Sequence, residues 1–157
     1  MIRKTVNSAQ DVYKLFYDNS HINGRYTAYI RGKRSKTFSV FLKEYSTAFQ
    51  FPYYYGENWY AWDECATDLD WLSFDSIALI IDDYDMLFID EPDTACVLAD
   101  VEEEIQYIEE YWRNMSIEFI AYACTNCSVG QQIKHKKLTN GLCNKLLYSR
   151  KNKRAEN

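Results

Sequence analysis

Apolar and polar positions follow each other along the chain with the spacings of an α/β protein. A continuous apolar run at residues 77–81 predicts a strand buried on both faces, as in a parallel sheet covered by helices. Short segments rich in β-forming residues, 26–30 and 117–123, predict two further strands. Helical patterns separate these strands, so we expect parallel pairing through right-handed crossovers. The sequence therefore predicts an α/β fold with a three-stranded parallel sheet packed with helices.

Four segments carry apolar side chains every three or four residues and are predicted to be helices. A polar residue that can accept a hydrogen bond from the backbone marks the start of each one. The predicted N-caps are Ser8, Ser35, Asn58 and Thr94. The fourth helix is the longest, and glutamates are expected on its outer faces. These are Glu102, Glu103, Glu104, Glu109 and Glu110.

The third predicted helix has two distinct faces. Trp59, Trp62, Ala66 and Leu69 share one face, which we expect to be buried. Tyr60, Asp63, Glu64 and Thr67 share the other, which we expect to lie in water. Asp68 and Asp70 add negative charge at the end where the helix dipole is already negative. Because this arrangement costs helix stability, the acidic face indicates either a binding role or a role in solubility.

Charge is distributed unevenly, although the net charge is only −5. Residues 57–118 contain 19 acidic side chains and one basic side chain, Arg113, whereas both flanking segments are basic. The acidic middle would repel phosphate groups, which argues against nucleic acid binding there. The pattern predicts a basic protein partner or a cation, unless the carboxylates only keep helix faces in water.

Several classes of protein are disfavoured. No apolar stretch reaches the roughly 18 residues of a membrane span, and the polar start is unlike a signal peptide. Five cysteines at scattered positions are untypical of a disulfide framework and fit the cytoplasm.

Enzymatic activity is also disfavoured. Asp63 and Glu64 are adjacent, and adjacent side chains on a helix diverge by about 100°, so they do not converge on one reacting atom. There is no glycine-rich phosphate loop or nucleophile elbow. We expect neither enzymatic activity nor a cofactor.

The C-terminal segment, 124–157, leaves alternatives open. Four of its residues are candidate zinc ligands, although ordinary thiols are the alternative because only one pair has close spacing. They are Cys124, Cys127, His135 and Cys143. The lysines and arginines of this segment fit an RNA, an acidic partner, a solvated tail or a contact with the acidic middle.

Residues 52–71 carry the most specific pattern in the chain. In order, they include Pro52, Tyr54, Tyr55, Gly56, Glu57, Asn58, Trp59, Ala61, Asp63, Glu64, Cys65, Asp68, Leu69, Asp70 and Trp71. This segment resembles the barstar-like family, in which a Pro-x-Tyr-Tyr/Phe-Gly-x-Asn motif precedes an acidic helix with a cysteine. The resemblance implies a barstar-like domain at 25–123. Residues 1–24 then form an N-terminal helical extension, and 124–157 a basic C-terminal extension.

The resemblance also implies a function. The chain is expected to be an immunity-type inhibitor that blocks the basic active site of a ribonuclease or toxin nuclease with its acidic helix and the preceding loop. The contact positions carried over are Tyr54, Gly56, Asn58, Glu64, Thr67 and Glu109. Glu64 is the expected central carboxylate. Tyr60 stands where the family usually has aspartate, and Asp63, one helical step away, is the candidate to supply that charge.

The departure at Tyr60 leaves a second function open. In that alternative, the domain is a barstar-like module that binds a basic partner other than a nuclease. Neither function involves nucleic acid at the acidic face, and neither involves a membrane.

Overall fold

Within residues 1–126, four parallel strands form one central sheet. The structure, a computed structural model, describes residues 1–126, apart from the side chains of Val6, Asn7 and Asn126. The strands are β1 (Arg3–Asn7), β2 (Arg25–Arg31), β3 (Ser76–Asp82) and β4 (Glu118–Asn126). Their order across the sheet is β1-β4-β3-β2. The predicted α/β class and parallel pairing are confirmed.

Four α-helices of the described residues cover the sheet. They are α1 (Ala9–Ser20), α2 (Phe38–Ala48), α3 (Trp59–Asp68) and α4 (Thr94–Asn114), with short 3-10 turns at Gly32–Arg34 and Tyr84–Met86. Side chains on a strand alternate between its two faces. Accordingly, Ile77, Leu79 and Ile81 of β3 enter the large core with residues of α2, α3 and α4. Ile80 enters a small core with Val12 of α1. Helix α1 therefore lies on the opposite side of the sheet from α3.

The predicted strand count was one too low. Residues 3–7, within the predicted N-terminal helical extension, form β1, which pairs with β4 from Arg3↔Tyr122 to Asn7↔Asn126. The segment lacks the apolar run that marks the central strand β3 because β1 lies at the edge of the sheet. Arg3 and Lys4 are exposed there, as is common on edge strands. The rest of that segment follows the prediction, since Ser8 caps α1.

Two of the four predicted helix caps were wrong. Ser35 does not begin α2 but ends a 3-10 turn, where its backbone N–H donates to Gly32 O at 2.9 Å. Thr37 is the N-cap, and its hydroxyl accepts from the backbone N–H of Val40. At α4, Asp93 is the N-cap, and Thr94 instead donates its hydroxyl to Phe88 O at 2.8 Å. In both cases a neighbouring residue that can also accept a backbone hydrogen bond is the N-cap.

The large core is strongly aromatic around α3. Trp62 is completely buried, and its ring lies 5.5 Å from Phe41 and 5.3 Å from Tyr45, both on α2. Trp59 lies on its other side at 5.0 Å. These contacts confirm the predicted inward face of α3 at Trp62.

The described cysteines differ in state. Cys65 and Cys124 are free and buried. Cys96 is disulfide-bonded, although the five scattered cysteines were expected not to form a disulfide framework. Among the helices of residues 1–126, none combines the length and apolar character that a membrane span requires.

Replacing Trp62 with alanine should destabilise the fold severely. Emptying a buried aromatic site costs about 3–5 kcal/mol of unfolding free energy. Chemical denaturation of Trp62→Ala would measure this loss. Tyr53→Ala is the matched control because Tyr53 is fully exposed, and it should unfold like the parent protein. Equal stabilities for the two variants would contradict the inward placement of Trp62.

Candidate functional site

The loop before α3 holds two tyrosines in solvent by burying a third. Tyr55 is half-buried, and its ring packs 4.9 Å from that of Phe51. Its backbone N–H donates to Pro52 O at 3.0 Å, which closes a tight turn. Tyr53 and Tyr54 are consequently turned outward, and their rings make an edge-to-face pair at 5.6 Å.

Asn58 and Gly56 shape the passage from this loop into α3. The Asn58 side chain accepts from the backbone N–H of Ala61 at 3.1 Å and donates to Gly56 O at 3.1 Å. A Cβ atom at position 56 would lie 2.9 Å from the Asn58 amide nitrogen, so a larger residue would crowd this contact. Both predicted contact residues are exposed, and both have a structural role here.

Two substitutions of Asn58 can distinguish the effect of its capping hydrogen bond from the effect of its hydrogen bond to Gly56 O. Asn58→Ala should lower the unfolding free energy by about 0.5–2 kcal/mol, because α3 loses its N-cap. Asn58→Asp keeps a capping oxygen and loses only the donor to Gly56, so its loss should be clearly smaller. Thermal unfolding of both variants tests this, and an equal loss would show that the cap is not the main contribution.

Helix α3 is fixed between α2 and α4. Trp59 stacks on Phe38 of α2 at 5.0 Å and donates its indole N–H to Glu104 of α4 at 3.1 Å. Further along, Trp112 of α4 donates its indole N–H to Ala66 O at 2.9 Å. These contacts on both sides hold the outer face of α3 in one orientation.

The predicted outward face of α3 is only partly exposed. Tyr60 and Glu64 are exposed, whereas Asp63 and Thr67 are half-buried. The Thr67 hydroxyl donates back to Asp63 O at 2.8 Å. One carboxylate oxygen of Asp63, Oδ1, is enclosed and has no hydrogen-bond partner within residues 1–126. Tyr60 and Glu64 are therefore the accessible members of the predicted set on this helix.

Negative charge is concentrated at the C-terminal end of α3. Leu69 follows the helix in the left-handed conformation, with φ 49° and ψ 25°, and its side chain is buried. Asp68 and Asp70, on either side of it, are exposed. Loss of solvation, then the charge of Asp70 and a hydrogen bond with it, and finally the charge of Glu64, raise the pKa of Asp68. The charges of Asp70 and Glu64 therefore both act on the Asp68 carboxylate.

The charges of these carboxylates also act on Tyr54. Its hydroxyl pKa is raised, first by loss of solvation and then by ionisable neighbours. Those neighbours are Cys65, Asp68, Glu64 and Asp70. We call Tyr54, Tyr60, Glu64, Asp68 and Asp70 the α3 surface. It joins the loop tyrosine and the acidic end of the helix, and sequence reasoning had left Asp68 and Asp70 out of the predicted site.

No lysine or arginine of residues 1–126 forms an ion pair with the carboxylates of the α3 surface. The nearest acidic residue in the loop, Glu57, does have a partner, Lys43, at 3.7 Å. Within the described residues, the α3 surface is thus negative and without internal counter-ions.

The stability of the protein should reflect the repulsion at Asp68. Because its pKa is raised above the ordinary value of 3.8, the folded state holds this proton more tightly than the unfolded state. Protonated Asp68 stabilises the folded state, and this contribution is lost as the pH rises through the range above 3.8. Asp68→Asn should raise the melting temperature at neutral pH, and the gain should vanish below about pH 3.5. Glu103→Gln is the control, because Glu103 is exposed on α4 and forms no ion pair within residues 1–126. A pH-independent gain for Asp68→Asn would contradict the electrostatic cause.

Glu109 is not brought to the α3 surface. Its carboxylate binds the amino group of Met1 and lies 3.5 Å from the Arg113 guanidinium. Glu104 faces α3, and Glu109 is five residues further along α4, about 140° around the helix. Its predicted contact role stays a prediction, with no support from its position.

Glu104 was expected on an outer face of α4 but is buried, with only 1% of its surface exposed. Its hydrogen bond from Trp59 explains how a carboxylate is tolerated there. Asp100, one helical turn earlier, is also buried. The spacing of the glutamates did not reveal this, because the burial of Glu104 depends on a contact with α3, which is distant in sequence.

No group of three or more possible metal ligands occurs within residues 1–126. Cys124, one of the four candidate zinc ligands, is buried in the small core, where the hydroxyl of Thr5 donates to its sulfur at 3.7 Å. Burial raises the pKa of this thiol, which disfavours the thiolate that zinc requires. Cys127, His135 and Cys143 lie outside the described residues.

The family model described as Barstar (barnase inhibitor) matches residues 25–123. The chain belongs to the barstar family. The match extends from β2 into β4 and includes the whole α3 surface, whereas β1 and α1 precede it. No curated protein matches the chain closely enough to count as a relative. The barstar family binds barnase-like ribonucleases, and the match therefore supports a protein partner for this chain.

Proposed function

We propose that this barstar family protein inhibits a ribonuclease by inserting the α3 surface into the basic active-site cleft of the enzyme. One observation carries the proposal: exposed carboxylates that form no ion pair within residues 1–126 stand on α3 and directly after it, inside the segment that the family model matches. They would occupy the positions of RNA phosphates. Inhibition by occupancy makes and breaks no bond, so it requires neither a catalytic residue nor a cofactor.

Electrostatics support this role for the middle of the chain. Residues 57–118 carry 19 acidic side chains against one basic side chain. Such a surface attracts a cationic cleft over distances of about one Debye length, roughly 8–10 Å in physiological salt, and so raises the rate of encounter. Added salt should therefore slow association more than it speeds dissociation.

Individual side chains have distinct roles in the proposal. Glu64 is exposed and would form charge-assisted hydrogen bonds with an arginine or lysine of the nuclease. Tyr54 and Tyr60 supply aromatic area with few rotatable bonds, which suits an interface. Asp63 and Thr67 lie half-buried at the margin, and Gly56 and Asn58 set the shape of the loop.

A second candidate function is a module that binds a basic partner other than a nuclease. Tyr60 favours this alternative because it stands where the family usually has a charged aspartate. The two candidates differ in one measurable respect, since only the first abolishes RNA cleavage.

We further propose that the inhibitor is of the immunity type and acts in the cytoplasm of the cell that makes the nuclease.

Titration of a barnase-type ribonuclease with the protein tests the proposed function. Cleavage of a fluorogenic RNA should fall to zero at a one-to-one ratio. Glu64→Gln should weaken inhibition about tenfold to a hundredfold, because one charged hydrogen-bonded partner is lost. Asp18→Asn removes the same charge from α1, on the other side of the sheet, and should inhibit like the parent protein.

Binding of the nuclease with full residual cleavage would instead support the alternative module. Equal inhibition by Glu64→Gln and Asp18→Asn would show that Glu64 is not the central contact.

A further inference from the structure

The disulfide at Cys96 has a partner that can be narrowed to two residues. Cys96 lies in the first turn of α4 and is disulfide-bonded. The chain has five cysteines, and two of them, Cys65 and Cys124, are free and buried. The other two, Cys127 and Cys143, follow β4 and lie outside the described residues. Elimination leaves these two as candidates for the partner within the chain.

We infer that a disulfide between Cys96 and either Cys127 or Cys143 fastens the basic residues 127–157 to the N-terminal half of α4. The occupant of this part of α4 is thus a segment of the chain itself. Docking on α4 is independent of the proposed ribonuclease inhibition, because it requires no partner protein.

The end of β4 lies at the same end of the sheet as Cys96. Because β3 and β4 are parallel and α4 connects them, α4 runs back along the sheet. Cys96 is about 27 Å from Asn114 along the helix axis. Asn126 is about 26 Å from Glu118 along β4, which begins shortly after α4 ends. Residues 127–157 therefore start at the level of Cys96.

Cys96 is the first of three buried residues in a row on α4. Asp100 and Glu104 follow it at helical spacing, and the three are only 3%, 2% and 1% exposed. Glu104 accepts a hydrogen bond from Trp59, the first residue of α3. Asp100 and Cys96 lie about one and two turns beyond that contact, towards the N-terminus of α4. The buried row therefore continues past the start of α3.

The charge of residues 127–157 is complementary to this row. The segment contains eight lysines and arginines and one acidic residue, Glu156. Carboxylates in a protein interior are tolerated where hydrogen-bond donors or cations surround them. A disulfide at Cys96 would bring basic side chains to Asp100, one helical turn away. Charge complementarity thus favours docking of the segment on α4 over its extension into water.

The disulfide can form and open by thiol–disulfide exchange with glutathione. One cysteine thiolate attacks glutathione disulfide and releases a glutathione thiolate, and the second cysteine thiolate attacks the mixed disulfide and releases the other. Two cysteine thiols are oxidised, one glutathione disulfide is reduced, and the two protons end on the two glutathione thiols. Because glutathione and thioredoxin keep cytoplasmic thiols reduced, the attachment to α4 would respond to the redox state of the cytoplasm.

Peptide mapping of the full chain tests the connectivity. After equilibration with glutathione disulfide and digestion without reductant, Cys96 should be recovered linked to Cys127 or to Cys143, and reduction should separate the pair. The undigested protein should remain monomeric. Either pair supports the inference. A free Cys96 thiol, or a link from Cys96 to Cys65, to Cys124 or to a second copy of the chain, would overturn it.

Trypsin, which cleaves after lysine and arginine, tests the docking. Cleavage within residues 127–157 should be about tenfold slower in the oxidised parent protein than in the reduced one, because docked chain must first open locally. Cys96→Ser should be cleaved at the reduced rate under both conditions. Cys65→Ala is the matched control, because Cys65 is buried and free, and it should keep the difference. Equal cleavage rates of the oxidised and reduced parent protein would show that the segment does not dock on α4.

Discussion

The burial of the inner face of α3 between α2 and α4 is the interaction on which the candidate site depends. Trp62 is enclosed by the rings of α2, and Trp59 and Ala66 are hydrogen-bonded to α4. Because this face is held so firmly, the opposite face can carry mutually repelling carboxylates without unwinding the helix. The large aromatic core therefore supports a surface that is electrostatically unfavourable in the free protein.

Such a surface is better suited to association than to stability. A flexible acidic segment would have to be ordered on binding, which costs conformational entropy. Here the order is already provided by Leu69, Asn58 and the tryptophans of α3, all of which belong to the fold. The carboxylates are consequently presented in one arrangement before a partner arrives, and little ordering remains to be done.

The strongest sequence patterns predicted the fold well. The apolar run of β3, the faces of α3 and the cap at Asn58 could be recognised because each repeats a spacing or a residue type with a direct physical cause. The edge strand β1 was missed because its residues are polar, and only pairing with β4 makes it a strand. The burial of Glu104 was missed because it depends on Trp59, which is 45 residues away in sequence.

The sequence predicted which types of residue form the candidate site better than it predicted their arrangement. Tyr54, Tyr60 and Glu64 are accessible as expected, whereas Thr67 turns its hydroxyl back to the helix. Asp68 and Asp70 were read as an unfavourable end of the helix. They flank Leu69, whose left-handed conformation could not be predicted because leucine rarely adopts it.

The strand order has a consequence for how the chain reaches its native state. Among the strands of residues 1–126, β1 pairs only with β4, and Arg3 is paired with Tyr122. During synthesis, β1 must therefore wait for this partner until β4 has been made. The remaining three strands can assemble in chain order, from β2 to β3 to β4, so docking of β1 is expected to be the last step in completing the sheet.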